Sequence, residues 1–374
     1  MDGRAHLLER VHPLDRRSFL TTLGTVAATA VLRPLSAANL SGAATPAIKV
    51  GLDNFAVRAL QWKAPALIDY AAALQCDTLF LSDLGAFESL EDGALREVRR
   101  QAEAAGLQLY VGSWSICPTS KTFKTDWGTA EEHLRLTIRV AQALGSPVAR
   151  VILGNSEDRA SAGGIRARMA DTVAVLRACR RDAERARVKI AVENHAGDLH
   201  SWELRELIEE AGSDLVGANL DSGNAAWTLE DPMDALETLG PVTICSSLRD
   251  CLVWDGPEGA TVQWTAVGDG LIDWSRWAAR WRELCPSVPI MIETISGFPR
   301  VFAHRKPEFW QHYDRRPEKF ARFEALARRG RAIPAFHNPV DPAERVAAQQ
   351  TYQKSEIERS IAYLRHTLGL GVRA

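Results

Sequence analysis

Eight short apolar runs recur between residues 48 and 293, and segments with helical spacing of apolar residues separate them. Near-continuous apolar strands of this kind suit a parallel sheet that is covered by helices. The predicted strands are residues 48–52, 78–81, 107–111, 149–153, 189–193, 216–221, 243–248 and 289–293. An eight-stranded barrel takes roughly 250 residues, which this segment matches. The pattern predicts an α/β fold, a (β/α)8 TIM barrel, rather than a doubly wound open sheet, because no glycine-rich turn follows Leu52.

The two ends of the chain extend beyond the barrel pattern. Residues 1–44 contain Arg16 and Arg17, then an apolar run and small residues, in the order of a twin-arginine export signal. The run is shorter than the roughly 20 residues that cross a bilayer, so we expect no stable membrane insertion. We predict an export signal and linker over 1–44, the barrel over 45–336 and a C-terminal helical extension over 337–374. Such a protein is periplasmic or otherwise exported.

The composition limits the partners that the chain can bind. A formal net charge of −2 provides no basic face, and we expect no nucleic-acid partner. The six cysteines form no CxxC pair, which argues against a zinc knuckle. We expect them to be buried as small apolar residues.

Carboxylates stand at the ends of three predicted strands: Glu193, Asp221 and Glu293. The carboxyl ends of barrel strands form the active end of a TIM barrel, so these side chains converge. Three buried carboxylates repel one another strongly unless a cation compensates them. We predict that they hold a divalent metal ion. The alternative is that each pairs with an arginine or caps a helix, which would be the better explanation for one carboxylate alone.

The same residues carry a family resemblance. Glu-Asn-His at 193–195, Leu-Asp-Ser-Gly-Asn at 220–224, Glu293 and Gly-Asp-Gly-Leu-Ile-Asp at 268–273 resemble the sugar phosphate isomerase/epimerase superfamily, the xylose isomerase-like TIM barrels. The resemblance implies a divalent metal (manganese, magnesium or cobalt, with zinc as a further candidate) on Glu193, Asp221 and Glu293. It also implies that Glu193 and Glu293 act as acid and base on opposite faces of the substrate.

One strand departs from the family pattern. Where the family commonly has His-x-Lys-Asp after strand seven, this chain has Ser247, Leu248, Arg249 and Asp250. The expected histidine ligand is thus a serine, a poorer donor to a transition metal. The fourth ligand stays open between Ser247, Gln263, and water or substrate, and weak metal binding is a further alternative.

Four residues are candidates for binding the substrate: His195, Asn224, Arg249 and Trp114. His195 and Asn224 could instead support the carboxylates, and Arg249 could instead pair with Asp250. Trp264, in the loop after strand seven, could stack on a sugar ring.

The predicted function is a divalent-metal-dependent isomerase or epimerase that removes a proton next to a carbonyl group of a sugar or keto-sugar. A lyase or dehydratase acting on a keto-sugar or glycoside with the same site is the first alternative. A non-catalytic sugar-binding barrel is the second. An apurinic endonuclease, which shares the superfamily, is disfavoured because its zinc site is rich in histidine and histidines are missing from the strand ends that such a site needs. The partner is thus a small carbohydrate, and the resemblance also allows a homodimer.

Overall fold

The fold was examined in a computed structural model that describes residues 47–373. These residues belong to one compact unit. The predicted export signal lies outside the described residues. Within them, no helix has the length and apolar character needed to cross a membrane.

The described residues contain strands that alternate with helices along most of the chain. The strands are β1 (Val50–Asp53), β2 (Thr78–Leu81), β3 (Gln108–Ser115), β4 (Val148–Ile152), β5 (Lys189–Glu193), β6 (Val216–Leu220), β7 (Thr243–Ser246), β8 (Asp250–Asp255), β9 (Ala260–Thr265), β10 (Ile290–Ile292) and β11 (Pro299–Phe302). The eight predicted strands correspond to β1 to β7 and β10, with ends displaced by a few residues.

The helices lie at the positions that the apolar spacing predicts, with two exceptions. They are α1 (Ala64–Ala73), α2 (Asp92–Ala104), α3 (Ala130–Leu144), α4 (Gly164–Ala178), α5 (Arg180–Ala186), α6 (Ser201–Ala211), α7 (Ser222–Trp227), α8 (Pro232–Leu239), α9 (Trp274–Leu284), α10 (Phe320–Arg329) and α11 (Pro342–Ala362). Apolar residues keep a helical spacing over 165–187, which predicts one continuous helix, but the chain forms two, α4 and α5, with a break at Cys179. The short α7 was not predicted.

Eight parallel strands form the barrel in the order β10-β1-β2-β3-β4-β5-β6-β7. Leu248, just after β7, closes the circle: its backbone N–H donates to Met291 O at 2.7 Å, and Glu293 N–H donates to Leu248 O at 2.9 Å. The predicted (β/α)8 TIM barrel is therefore confirmed, and closure brings the ends of β1, β7 and β10 together.

Side chains of each strand alternate between the outside and the inside of the barrel, as the two-residue period of a strand requires. Ile190 and Val192 of β5 pack outward in the main core against the helices. Ala191, between them, belongs to a separate small cluster with Phe80, Tyr110, Val148, Cys245 and Met291. Continuing the alternation, residue 193 points inward. The same period places Arg150, Asn219, Asp221 and Glu293 on the inner side.

A second sheet follows β7, and the sequence did not predict it. β8 and β9 pair as an antiparallel hairpin, and β11 pairs with β9 so that Pro299 lies opposite Gln263. Its buried face forms its own core with α7 and α10, including Trp227, Trp264 and Phe323. Residues 250–265 were expected to be loop, but cross-strand burial on α7 and α10 makes them a sheet at the active end of the barrel.

The C-terminal residues return to the start of the barrel. α11 packs against the turn after β1, where Ala59 N–H donates to Gln353 Oε1 at 2.8 Å and Gln350 Nε2 donates to Ala59 O at 3.0 Å. The six cysteines are buried and free, as expected. Trp274, Trp277 and Trp281 of α9 are fully buried between helix and barrel.

Candidate active site

Buried charges meet inside the barrel at the carboxyl ends of its strands. Four of them are carboxylates, on Asp53, Glu193, Asp221 and Glu293, and all four side chains are at most about 5 % exposed. Two arginines, Arg150 of β4 and Arg249 after β7, are buried among them. An isolated buried charge is very costly, so this cluster is stable only because opposite charges alternate within it.

Arg150 neutralises Glu193. Its Nε and Nη2 atoms lie 2.6 and 2.5 Å from Glu193 Oε2. Asn219 Nδ2 donates to the same oxygen at 2.7 Å, and Asn224 Nδ2 lies 3.3 Å from Oε1. Both oxygens of Glu193 therefore already accept hydrogen bonds from the protein.

Arg249 binds the other two carboxylates. Its Nη2 atom donates to both Asp221 Oδ2 and Glu293 Oε2. Asp221 also caps α7, because its Oδ1 accepts the N–H of Asn224 at 2.9 Å. Arg249 was expected either to bind substrate or to pair with Asp250. The prediction that Arg249 pairs with Asp250 is wrong. The Asp250 carboxylate instead accepts the Gly268 N–H at 3.0 Å and the indole N–H of Trp274 at 2.7 Å.

Ser247 occupies the position of the expected histidine ligand, but its hydroxyl is engaged elsewhere. Ser247 Oγ lies 3.1 Å from Asp53 Oδ2 and accepts Asn219 Nδ2 at 3.1 Å. Gln263, the other candidate for a fourth ligand, donates to Pro334 O at 3.3 Å. None of these contacts joins Ser247 or Gln263 to Glu193, Asp221 or Glu293.

The three carboxylates come close enough to share one ion. One oxygen each from Glu193, Asp221 and Glu293 lies within 4.8 Å of the others. A divalent ion binds carboxylate oxygens at 2.0 to about 2.6 Å, so one ion could reach all three. The structure, however, places the Arg249 guanidinium between Asp221 and Glu293, and Arg150 covers Glu193. The donor atoms as they stand therefore do not fit a metal ion.

A cavity opens beside this cluster. Its wall contains four of the predicted substrate-binding residues and one predicted catalytic carboxylate: Trp114, His195, Asn224, Arg249 and Glu293. Arg150, Phe55, Ser82, Asp83, Ala196, Trp227, Trp264 and Ile295 complete the wall. Glu193 and Asp221 do not line it, because Arg150, Asn224 and Arg249 stand between them and the open space.

Two polar atoms on the cavity wall have no protein partner. The Nε–H of Arg249 and the Oδ1 of Asn224 are buried and make no hydrogen bond among the described residues. Leaving buried polar atoms unpaired costs free energy unless a ligand or water pairs with them. One atom is a donor and the other an acceptor, a combination that suits a carbonyl or hydroxyl oxygen beside a hydroxyl group.

Two tryptophans and two arginines form a continuous stack beside the cavity. The Trp227 and Trp264 rings lie 4.1 Å apart and 12° from parallel. The guanidinium of Arg300 lies 4.4 Å from the Trp227 ring centre, and that of Arg249 lies 4.4 Å from the Trp264 ring centre. No guanidinium fits between rings so close, so each arginine covers an outer face. Trp264 has no free face for a sugar ring, contrary to the expectation.

Burial sets the protonation behaviour of the site. It raises the pKa of Glu293, and the neighbouring Glu193 adds to the rise against the charge of Arg249. Burial, reinforced by Glu293, raises the pKa of Asp53 to about 7. Burial would lower the pKa of Arg249, but Asp221 and Glu293 outweigh it and raise that pKa, which keeps the guanidinium charged.

His195 is a neutral member of the cavity wall. Burial and the charge of Arg150 lower its pKa to about 3. Its Nδ1 atom lies 2.6 Å from Gly154 O, and a carbonyl oxygen only accepts, so the ring proton is on Nδ1. Nε2 is then left as an acceptor, and it suits a substrate hydroxyl. Trp114 contacts the His195 ring edge-on at 5.5 Å.

Sequence reasoning missed Asp53 and the barrel-facing Arg150. The signal for Arg150 was present, since a charged residue stands in the middle of the apolar run 148–152. With the two-residue period, it must face the barrel interior along with Glu193. Asp53 directly follows an apolar strand, as Glu193 and Glu293 do. Trp227 carried no such signal, because its role depends on the unpredicted second sheet.

A closed parallel barrel with converging charged side chains at the carboxyl ends of its strands is the arrangement of the TIM-barrel proteins. The chain belongs to the xylose isomerase-like TIM barrel family, whose model matches residues 68–307. The resemblance seen in the sequence is thereby confirmed. A comparison with curated proteins finds no match.

Solved structures resemble the chain in fold. A D-psicose 3-epimerase, solved in the presence of D-fructose, covers 86 % of this chain and 100 % of its own, with a TM-score of 0.56 and 14 % identity. A xylose isomerase domain protein from Planctomyces limnophilus covers 67 % of this chain and 91 % of its own, with a TM-score of 0.52 and 16 % identity. The IOLI protein, solved with a zinc atom, covers 84 % of this chain and 99 % of its own, with a TM-score of 0.53 and 13 % identity. At these identities the likeness shows the fold alone.

Proposed function

We propose that the chain is an isomerase or epimerase that moves a proton on a carbon next to the carbonyl group of a sugar or keto-sugar. The observation that carries the proposal is the pair formed by Glu293 and Arg249 on the cavity wall: a carboxylate lies beside a fixed cation that still has an unpartnered N–H. Membership of the xylose isomerase-like family supports it. So does the likeness to proteins named as D-psicose and L-ribulose 3-epimerases.

Glu293 is the base in the proposed reaction. It takes the proton as the C–H bond next to the carbonyl breaks, and the bonding pair forms the C=C bond of an enediolate. The carbonyl π pair moves onto its oxygen, which becomes negative and accepts a hydrogen bond from Arg249. Return of a proton to the same carbon from the other face re-forms the carbonyl and gives an epimer. In isomerisation the proton returns to the former carbonyl carbon, the neighbouring hydroxyl loses its O–H proton and becomes the new carbonyl, and the former carbonyl oxygen takes up a proton to become a hydroxyl.

The second acid of the proposal is Glu193, as the sequence predicts. Its two oxygens accept hydrogen bonds from Arg150 and Asn224, and unlike Glu293 it does not line the cavity. Return of a proton from the opposite face therefore requires Asn224 to move aside. Return by Glu293 itself to the neighbouring carbon requires no such movement, so the geometry favours isomerisation on one face over two-base epimerisation.

The divalent metal of the sequence prediction stays a prediction. Its support is the close approach of three carboxylate oxygens and the zinc atom in the solved IOLI protein. The engaged Ser247 hydroxyl and the two arginines oppose it. No step of the reaction proposed above passes through a metal ion.

Hydrogen exchange with solvent tests this function directly. The full chain is incubated in D2O with D-fructose, D-psicose, D-tagatose or L-ribulose, and ¹H NMR follows the carbon next to the carbonyl. We expect deuterium to enter at least one sugar, and Glu293→Gln to slow its entry by about 100-fold or more, because an amide accepts no proton from carbon. Exposed Glu283→Gln, on α9, is the matched control.

Each of the alternatives gives a different result in the same experiment. Loss of a hydroxyl or alkoxy group from a keto-sugar or glycoside would identify a lyase. A binding heat without exchange or turnover would identify a sugar-binding barrel. Exchange that persists in Glu293→Gln at the wild-type rate would contradict the role given to Glu293.

A further inference from the structure

We propose that Arg249 replaces the metal ion in this barrel: its guanidinium holds Asp221 and Glu293 together and provides the positive charge that the substrate oxygen meets. The inference rests on the proposed function for the identity of the substrate, but its claim about the metal stands on the protein alone. It names a catalytic group that differs in chemistry from the family's divalent ion.

The first observation is the position of the charge. Arg249 Nη2 contacts both Asp221 and Glu293, so the two oxygens that an ion would bridge are already bridged by a nitrogen cation. Arg150 places a second positive charge against Glu193. The two guanidinium groups carry two positive charges, as many as one divalent ion. They are covalently attached, so their charge does not depend on the metal supply.

The second observation is that Arg249 is held rigidly. One face of its guanidinium lies on Trp264, which is stacked on Trp227, and Arg300 covers the other face of Trp227. Its backbone is clamped by Ser222, whose Oγ donates to Arg249 O at 2.5 Å and accepts the Arg249 N–H at 3.1 Å. A cation fixed in this way needs little reorganisation when charge develops on a substrate.

The third observation is that the guanidinium has a hydrogen-bond donor without a partner. Arg249 lines the cavity, is only 2 % exposed, and has a buried Nε–H with no partner. Asn224, which also lines the cavity, has an unpartnered Oδ1. A substrate that places its carbonyl oxygen on Arg249 and a hydroxyl on Asn224 would satisfy both atoms. A guanidinium can donate to the carboxylates and to a substrate oxygen at once, because its donors point in different directions.

The fourth observation is that the expected histidine ligand is missing at the end of strand seven. Ser247 takes the place of the expected imidazole, and its hydroxyl is engaged by Asp53 and Asn219. Loss of a nitrogen ligand weakens binding of a transition metal. Arg249 stands where the family commonly has lysine, and its planar guanidinium presents several donors that can hold two carboxylates at once, which a compact ammonium does less well. The two changes lie two residues apart on the same strand end, and they act in the same direction.

Metal binding to the purified full chain tests the inference without relying on activity. Wild type, Arg249→Gln and Arg249→Lys are dialysed against EDTA, then titrated with MnCl2, ZnCl2 and CoCl2. Bound metal is measured by elemental analysis, and bound Co²⁺ also by its visible absorption. We expect wild type to bind no stoichiometric ion. Arg249→Gln, which leaves two carboxylates without their cation, should bind about one ion at least tenfold more tightly than wild type.

Two further variants make the result specific. Ser247→His combined with Arg249→Gln restores a nitrogen donor, and we expect it to bind Co²⁺ and Zn²⁺ more tightly than Arg249→Gln alone. Arg305→Gln removes an exposed arginine that pairs with Asp255, and it should bind no more metal than wild type. Arg249→Lys restores the residue that the family commonly has here, and its ammonium is a single compact charge that cannot hold both carboxylates as the guanidinium does. We expect it to bind an ion more tightly than wild type, which keeps the test decisive if Arg249→Gln does not fold.

Stoichiometric metal in wild type, with a thermal midpoint that rises on adding MnCl2 and falls with EDTA, would overturn the inference while leaving the proposed isomerase intact. Failure of every sugar to exchange would instead remove the proposed function, and the metal titration would still decide whether Arg249 replaces the ion. Solvent exchange that continues in EDTA at the wild-type rate supports both.

Discussion

The smallest residue of the candidate site, Gly223, is what allows the Arg249 side chain to reach the carboxylates. A Cβ atom at position 223 would overlap the Cγ of Arg249 and would lie 2.7 Å from its Cδ and 2.9 Å from Trp264 Cδ1. Real side chains do not approach so closely, so either Arg249 or Trp264 would have to move. The second residue after Asp221 is thus part of the arginine site without contributing any functional group.

Gly223→Ala is therefore expected to impair the site more than the fold. We predict a loss of at least about tenfold in the rate of solvent exchange and a cost of about 1–3 kcal/mol in the free energy of unfolding from overpacking. Gly93→Ala is the control, because a Cβ there meets no atom within 4 Å and alanine favours the helix. Exchange and urea unfolding measure the two effects, and an unchanged exchange rate would show that the Arg249 position is unimportant.

The charged residues of the site differ in how far sequence could identify them. Glu193, Asp221 and Glu293 were found because a carboxylate that ends an apolar strand is conspicuous. Their partners were not, although the alternative of arginine pairing was considered and the structure has it. Which arginine meets which carboxylate depends on distances between strands that are 43 or 44 residues apart in the chain. No local pattern specifies such distances.

At the scale of elements, the start of α6 is anchored by a buried ion pair outside the cavity. Arg159 Nη2 lies 2.5 Å from Glu203 Oε2, and His200 Nδ1 lies 3.0 Å from the same oxygen. His200 and Glu203 form a capping box at the first turn of the helix. Burial alone would raise the pKa of Glu203, but His200 and Arg159 outweigh it and lower that pKa. The pair links the loop after β4 to α6.

We expect Glu203→Gln to destabilise the fold by about 3 kcal/mol, because it leaves the buried Arg159 without its counter-charge. The folded-state pKa of Glu203 lies below its ordinary value of 4.5. The contribution of Glu203 to the free energy of unfolding is therefore fully present above pH 4.5 and is lost as the pH falls below 4.5. Urea unfolding at neutral and acid pH should show the difference from wild type shrinking in acid.

Glu206→Gln is the control for this prediction, since Glu206 is on the same helix but pairs with Arg166 at the surface. An exposed pair of this kind contributes about 0–1 kcal/mol. Equal destabilisation by the two variants, or a Glu203→Gln effect that does not change with pH, would contradict the account given for the buried pair.

The elements were predicted unevenly. The barrel strands and most helices follow from periodicity, because each strand or helix buries a face that its own residues define. The sheet of β8, β9 and β11 does not, since β11 pairs with β9 across more than 30 residues and its buried face exists only against α7 and α10. The Trp227–Trp264 stack that supports Arg249 is built on that sheet, so it could not be foreseen.

At the scale of the whole molecule, the location of the protein in the cell is a proposal that rests on residues 16–17. We propose that the chain is exported by the twin-arginine route and therefore meets free sugars and glycosides. In a bacterial host, replacing both arginines (Arg16→Lys with Arg17→Lys) should leave the protein in the cytoplasmic fraction, because the twin-arginine pattern is the export signal. Arg4→Lys should not change the fractionation. Wild-type protein that stays in the cytoplasm would refute the proposal.

The sequence by itself determined the barrel and the convergence of three carboxylates at the carboxyl ends of its strands. Both follow from the two-residue period of strands and the 3.6-residue period of helices, which act within one element. Only the tertiary structure decided that Glu293 faces the cavity, that Glu193 lies behind Arg150, and that Arg249 bridges Asp221 and Glu293. Those arrangements depend on closing the ring between β7 and β10 and on packing the second sheet against Arg249. Contacts between distant segments fix them, and no single element contains that information.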